Sequence, residues 1–296
     1  MLILPRDLVA QSIEPKSDGS PSINLLHQSQ DLIVLSKSLR SPIYERTGYL
    51  ATHAASFVLQ GEQQIETYEG DFFRVGAGQA MILPRDLYQI SDLVPKNDSF
   101  KSLLIYFNSP DQLLNISGSH EGAKGRLARS ATPASVPFSF GLKSETSKML
   151  QTITNDNSTT QVPDLVRALF TLQSKVEKTF TQKLAGIRAG KRRELKPFMQ
   201  DQADKALRVE DFAYLTGRSL STFRRDFKAA FGQAPRQWLR AKRLEHAYNI
   251  IAQGDQRVSD LAQAAGYENV SYFIREFRKQ YGQSPKQLMM AKGAAY

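Results

Sequence analysis

The sequence predicts a two-domain fold: a β-rich barrel with accompanying helices in the N-terminal part, and an all-α C-terminal part made of two helix-turn-helix units. Three observations predict it. The chain has 296 residues, about twice the usual single-domain length. Its apolar residues fall in short, turn-separated runs up to residue 107 and at helical spacing after about residue 142. Its charge is uneven: residues 191–296 hold 20 Lys and Arg against 11 Asp and Glu, whereas residues 1–190 hold 19 against 18. Nearly all of the net +10 therefore lies in the last third, as expected of a polyanion-binding module joined to a domain with another task.

The N-terminal runs are LIVLS at 32–36, SFVLQ at 56–60, QIETY at 64–68, FFRV at 72–75, AMILP at 80–84, YQISDLV at 88–94 and SLLIYF at 102–107. Gly61, Gly70, Gly76, Gly78 and Pro95 punctuate them, which predicts an antiparallel sandwich or barrel. A loose Gly/Ser/Pro stretch covers 115–139. Helical spacing then governs 142–153 and 164–184, where Leu165, Leu169, Leu172 and Val176 make one face. Gly186 and Gly190 lead into Lys191-Arg192-Arg193, where the domain boundary is placed. The expected division is 1–140 as a β-rich sensor or interaction domain, 141–190 as helical linker, and 191–296 as the basic domain.

Composition excludes whole classes of chemistry. The chain has no cysteine, so disulfides, thiolate nucleophiles and Cys-held zinc or iron–sulfur clusters are ruled out, and a cytoplasmic setting is expected. No run of 18 apolar residues and no leader pattern occurs, so no membrane association is expected. His27, His53 and His120 are scattered in the N-terminal part and His246 lies in the basic part, so neither a metal nor another cofactor is expected, nor an enzyme. His53, flanking a strand, reads as a half-buried polar residue.

The basic third contains an internal repeat. Asp211, Ala213 and Gly217 recur as Asp260, Ala262 and Gly266, and Phe223, Arg225, Phe227, Gly232 and Pro235 recur as Phe273, Arg275, Phe277, Gly282 and Pro285. In each unit a short helix (209–216; 258–265) ends at a Gly that permits a tight turn. Ser219 or Asn269 then caps a second helix. Leu220, Phe223 and Phe227, or Val270, Phe273 and Phe277, form its buried stripe. The opposite face carries Ser221, Thr222 and Arg225 in the first unit, and Ser271, Tyr272 and Arg275 in the second. Gly232 and Gly282 suit the helix end and Pro235 and Pro285 the first turn of the next helix, which from Pro235 forms a connector of about 236–252.

These motifs, with RLEHAYNII at 243–251 and GQSP at 282–285, resemble the DNA-binding domain of the AraC/XylS family of bacterial transcription regulators. The resemblance covers about 100 residues. It implies two reading helices in successive major grooves, about 34 Å apart, held by the connector. It also implies base contacts at Ser221, Arg224 and Arg225 and at Ser271, Tyr272 and Arg275; Thr222, Lys228 and Lys279 complete the candidate DNA-binding set. The expected function is a sequence-specific DNA-binding regulator, an activator that engages RNA polymerase, with a repressor as the alternative.

The strand-rich segments SFVLQGEQQI, EGDFFRVGAGQAMILPRD and SLLIYF resemble cupin-like effector domains, and the pattern is similar to the branch that includes regulators of type III secretion. Two readings stand for this domain. Phe57, Leu59, Ile65, Phe73, Ile82 and Ile105 line the barrel interior, either as the wall of a small-molecule effector pocket or as the core of a solid barrel whose outside meets a regulatory protein. The helix at 164–184 either pairs with its copy in a homodimer or packs on its own barrel. Rival classes fare poorly. Alkyl-transfer repair enzymes that resemble the family need an acceptor cysteine, and an architectural protein would not repeat polar pairs at matched places.

Overall fold

The computed structural model describes residues 22–110, 113, 137–155, 161–176, 178–187, 191–205, 207–253, 257–267 and 269–293. Most of the 115–139 stretch, His120 and Gly190 lie outside them. The chain divides into two compact units, Met1–Arg188 and Ala189–Tyr296. Among the described residues no helix is long and apolar enough to cross a membrane.

The first unit contains two antiparallel sheets. Its strands are β1 (Ser22–Gln28), β2 (Leu32–Leu39), β3 (Ile43–Tyr49), β4 (His53–Gln60), β5 (Glu62–Thr67), β6 (Phe72–Gly76), β7 (Gln79–Leu83), β8 (Leu87–Leu93), β9 (Phe100–Phe107) and β10 (Phe138–Gly141). Six form one sheet in the order β1-β2-β9-β4-β7-β10, and four form the other in the order β3-β8-β5-β6. Seven strands match the apolar runs. The strand β10 corrects the end of the expected loose stretch, since Phe138 and Phe140 pair along β7 opposite Ile82 and Ala80. Three helices follow among the described residues: α1 (Ser144–Asn155), α2 (Val162–Val176) and α3 (Lys178–Ala185), the last two covering the expected 164–184 helix and reaching slightly past it, with Glu177 outside the described residues.

The expected set of interior residues is split by the structure. Phe57, Ile82 and Ile105 belong to a core with Phe140, Leu169, Phe170 and Phe180, against which Leu59 packs, so these four face the helices and not the barrel interior. Ile65, with Phe73 packed against it, faces the space between the sheets, beside Ile33, Ala54, Val58, Met81, Leu104 and Tyr106. Alternation explains the division: on β4, Ala55 and Phe57 point to the helices while Ala54 and Val58 point between the sheets. Unbroken apolar strands such as LIVL and LLIYF are what a sheet covered on both faces requires. The helix side is cemented by aromatic edges, with Phe57–Phe170 at 6.0 Å and Phe140–Phe180 at 4.9 Å between ring centres.

The second unit is all helical: α4 (Leu195–Gln202), α5 (Val209–Leu215), α6 (Leu220–Phe231), α7 (Pro235–Gln253), α8 (Val258–Ala264), α9 (Val270–Tyr281) and α10 (Pro285–Gly293). The long α7 contributes to two cores. Near its start Trp238 meets Phe227 at 5.5 Å and Phe231 at 4.8 Å. Further along, Leu244, Ala247 and Ile251 pack with Leu261, Ala262, Phe273, Phe277 and Leu288.

His53 is buried more completely than its half-buried sequence reading, at 9% exposure, with Nδ1 accepting the Arg85 N–H at 3.0 Å. Burial first, and the Arg85 charge second, lower its pKa from 6.5 to about 4. The unfolded chain thus takes up this proton at higher pH than the folded one. The stability from neutral His53 is complete above pH 6.5 and lost as pH falls toward 4, by up to about 3 kcal/mol. Urea unfolding followed from pH 7 to 4.5 should show that loss, and His53→Gln should flatten it; an unchanged slope in the variant would place the titration elsewhere.

Candidate nucleic-acid interface

Each reading helix is delivered by the same local device. In the first unit Gly217 has φ +63°, its N–H bonds the Tyr214 carbonyl at 2.9 Å, and the Arg218 N–H reaches back to Ala213 at 2.9 Å. In the second, Gly266 has φ +73°, with matching bonds from Gly266 to Gln263 at 2.9 Å and from Tyr267 to Ala262 at 2.8 Å. Left-handed backbone at this point is what glycine supplies without a Cβ penalty. The next helix then starts on a side-chain cap: Ser219 Oγ accepts the Thr222 N–H at 3.2 Å, and Asn269 Oδ1 accepts the Tyr272 N–H at 2.9 Å. Both helices end at a left-handed glycine, Gly232 or Gly282.

Burial sets the rotation of each helix. Phe223 and Phe227 in α6, and Phe273 and Phe277 in α9, are fully buried. The first stripe position behaves differently: Leu220 is only half-buried and Val270 is 38% exposed, correcting the expectation that both lie in the core. Each opens its helix at the first position, where the N-terminal turn overhangs the core.

The structure places the candidate residues away from those stripes. Ser221, Arg224, Arg225 and Lys228 are exposed on α6 and Thr222 is half-buried; Ser271, Tyr272, Arg275 and Lys279 are all exposed on α9. The two faces differ in their internal partners. Arg225 donates from Nε and Nη2 to Asp226 Oδ1 at 3.3 and 3.2 Å. Thr222 Oγ1 accepts from Ser219 Oγ at 2.9 Å. In the second unit Arg275 lies over the Tyr272 ring, 5.0 Å from its centre, and Glu276 pairs instead with Arg240 of α7 at 3.1 Å.

Two arginines have roles that the charge run conceals. Arg193, in the basic run that marks the expected domain boundary, is buried; its Nη1 donates to the Leu215 carbonyl and its guanidinium covers the Phe198 ring at 5.4 Å. Arg218 donates to Asp226 Oδ2 at 3.2 Å and to the carbonyls of Arg193 and Thr216 at 2.9 and 2.7 Å. Tyr267 holds the equivalent place in the second unit. The signal available in the sequence was positional: Arg218 and Tyr267 directly follow the turn glycine, where a side chain leans back over the unit and not into solvent.

In the first unit a cavity of about 80 Å³ lies between the sheets, bordered by Lys37, Arg46, Ser56, Gln63, Tyr88, Asp92 and Tyr106 among others. The buried Lys37 ammonium donates to Asp92 Oδ2, and Gln63 Nε2 donates to Asp92 Oδ1 at 2.8 Å. Tyr106, wholly enclosed, has its pKa raised by burial. Ser56 Oγ and Gln63 Oε1 are buried without a protein partner, which fits ordered water in a space of this size.

Replacing Ser219 or Asn269 by Ala removes one cap and should cost about 1 kcal/mol of stability in each case, read by chemical denaturation. A loss below the scatter of the measurement would mean that the turn, not the cap, starts the helix.

Comparison with known proteins agrees with this geometry. Residues 212–291 match a family model described as a helix-turn-helix domain. Over 78 residues the chain is 30% identical to the virulence regulon transcriptional activator VirF of Yersinia enterocolitica and to the HTH-type transcriptional regulator ExsA of Pseudomonas aeruginosa. Those matches cover 26% of this chain and 29% and 28% of the relatives, so the shared part is under a third of their length. Among solved structures, unsaturated-fatty-acid-bound ToxT from Vibrio cholerae aligns over 88% of this chain and 95% of its own at 13% identity and TM-score 0.46. The DNA-binding domain of AdpA, in complex with a target DNA, aligns over 34% of this chain and 91% of its own at 28% identity and TM-score 0.32. The repeat, its caps and turns, and the family match together identify the C-terminal unit as the bearer of a helix-turn-helix domain.

Proposed function

We propose that the chain is a sequence-specific DNA-binding transcription regulator of the activating kind, working in the cytoplasm and engaging RNA polymerase from its DNA site. The observation that carries this reading is the duplicated unit. Twice, a left-handed glycine and a side-chain cap deliver a helix that buries two phenylalanines and presents an arginine on its exposed side. The excess of positive charge in residues 191–296 supplies the non-specific attraction to phosphates on which base reading is built. Matches to proteins named as activators support the sign of regulation.

Ser221, Arg224 and Arg225, with Ser271, Tyr272 and Arg275, are assigned to bases, and Lys228 and Lys279 with Thr222 to positioning. Arg225→Ala or Arg275→Ala should cost about 1–3 kcal/mol on a specific site and relax preference at one position. Lys228→Ala should weaken all sequences alike and reduce the salt dependence by about one phosphate. Titrations against specific and scrambled duplexes at two salt concentrations separate these outcomes. The fragment 191–296 should keep the footprint of the full chain; a folded fragment without sequence preference would overturn the division near residue 190.

Residues 1–140 are assigned to signal reception and 141–190 to a helical connection, for which packing on its own sheet is favoured over a homodimer because Leu169, Phe170 and Phe180 are buried against the strands. The interior cavity of about 80 Å³ is well below the roughly 300–1,000 Å³ of ordinary small-molecule sites, which favours a regulatory protein on the outside over a metabolite inside. A metabolite screen by thermal shift on the full chain should give no dose-dependent rise in Tm, while a stoichiometric protein should co-purify from the native host. A saturable rise would restore the pocket reading.

A further inference from the structure

Arg225 and Asp226 are neighbours on α6 but belong to different sectors of it. At 100° per residue Asp226 lies between exposed Arg225 and buried Phe227, so its carboxylate can reach both outward and inward. It does both, with one oxygen to each side. Oδ2 accepts from Nε of Arg218 at 3.2 Å, and Oδ1 accepts from Nε and Nη2 of Arg225 at 3.3 and 3.2 Å. The inner contact is the rigid one. The Arg218 side chain is only 9% exposed and is also tied through Nη1 to the carbonyls of Arg193 and Thr216. A cation so enclosed loses heavily if its carboxylate turns away, which holds Asp226 in place. An exposed arginine ordinarily exchanges rotamers freely, and a surface ion pair gains little because both partners must be immobilised. Here one partner is already fixed. The bonds from Nε and Nη2 occupy one side edge of the planar guanidinium and leave the donors at its end, Nη1 with the second Nη2 hydrogen, for a ligand. In the second unit Glu276 pairs with Arg240, and Arg275 rests on the Tyr272 ring.

We propose that Asp226 is a positioning residue for DNA recognition: anchored by Arg218, it holds Arg225 in one orientation, so that the first reading helix separates sequences more sharply than an unbraced arginine allows. Two effects act in the same direction. A braced side chain need not be ordered when it meets a base edge, whereas contact with a phosphate demands no particular orientation. The carboxylate also repels phosphates, and attraction to phosphates is what sequence-neutral complexes depend on. This assignment rests on the DNA-binding reading above.

The test uses the full chain and a duplex that it selects from a randomised library. Beside it stand a scrambled duplex and duplexes changed singly at the position whose preference Arg225→Ala relaxes. Asp226→Ala should lower discrimination at that position roughly threefold to tenfold, the worth of ordering one rotamer-rich side chain. It should also tighten binding to the scrambled duplex and steepen its salt dependence by about one phosphate. Asp226→Asn, of nearly the same shape, should move each quantity in the same direction. The ratio of affinities is the deciding readout, because partial unfolding weakens binding to every duplex alike and leaves the ratio unchanged. A merely structural aspartate would therefore lower stability to urea without moving it. In an Arg225→Ala background, Asp226→Ala should leave the remaining discrimination where it was. An unchanged ratio in both Asp226 variants, or the same loss with Arg225 already gone, would overturn the proposal while leaving DNA binding intact. A wild-type chain that enriches no sequence would instead remove the reading beneath it.

Discussion

Everything the C-terminal unit does depends on one helix being rooted at both ends. The nineteen residues of α7 span about 28 Å. The first turns hold Trp238 and Leu239 in the core under α6, and the second half inserts Leu244, Ala247 and Ile251 under α9. A helix anchored in this way cannot pivot at either end without opening a cavity, so the two reading faces keep their mutual orientation. Polar contacts lock the rotation: Arg240 pairs with Glu276, and Arg243 Nη2 donates to the Lys205 carbonyl at 2.9 Å and to that of Leu207. The separation of α6 and α9 is thus set by covalent geometry and packing.

Within that frame the duplication is imperfect in an informative way. Asp226 serves two arginines, one structural and one on the reading face, because Arg218 behind it needs a counter-charge where it is almost fully enclosed. The second unit has Tyr267 at that place, and its carboxylate, Glu276, pairs instead with Arg240 of α7. Burying a cation in one unit therefore changes the chemistry presented by its neighbour's exposed face. A buried charge that lost its partner would cost far more than a surface pair gains, which fixes Asp226 as a structural residue first.

The repeat was legible because its parts have few substitutes: glycines at left-handed φ, Ser or Asn at the caps, and Pro at Pro235 and Pro285. Helix rotation followed from the paired phenylalanines. Val270 was misread because periodicity locates a face but not where the core beneath it ends. The assignment of Phe57, Ile82 and Ile105 to the barrel interior failed for a related reason. A continuous apolar strand says that both faces are covered, and only pairing register tells which face meets which layer. The strand β3, with the polar residues Tyr44, Glu45, Arg46 and Thr47, offers no apolar alternation; it forms because its backbone pairs along β8. The burial of Arg193 was not legible, because nothing local in a sequence distinguishes a guanidinium that folds back onto carbonyls from one that does not.

The strand order of the six-stranded sheet also sets a timetable. Its central strand β9 pairs on one side with β2, placing Leu32 opposite Phe107, and on the other with β4, placing His53 opposite Phe107. Neither pairing can form until the chain has been made past residue 107, and the edge waits for Phe138. Such long-range closure is slow, whereas short helices joined by tight turns close within a few tens of residues. Once made, the β-rich part takes longer to close and carries its apolar strands exposed meanwhile, while the helical part organises quickly after its own synthesis. Aggregation in an over-producing cell should therefore begin in the domain without the DNA-reading helices, and slower translation across residues 107–140 should relieve it.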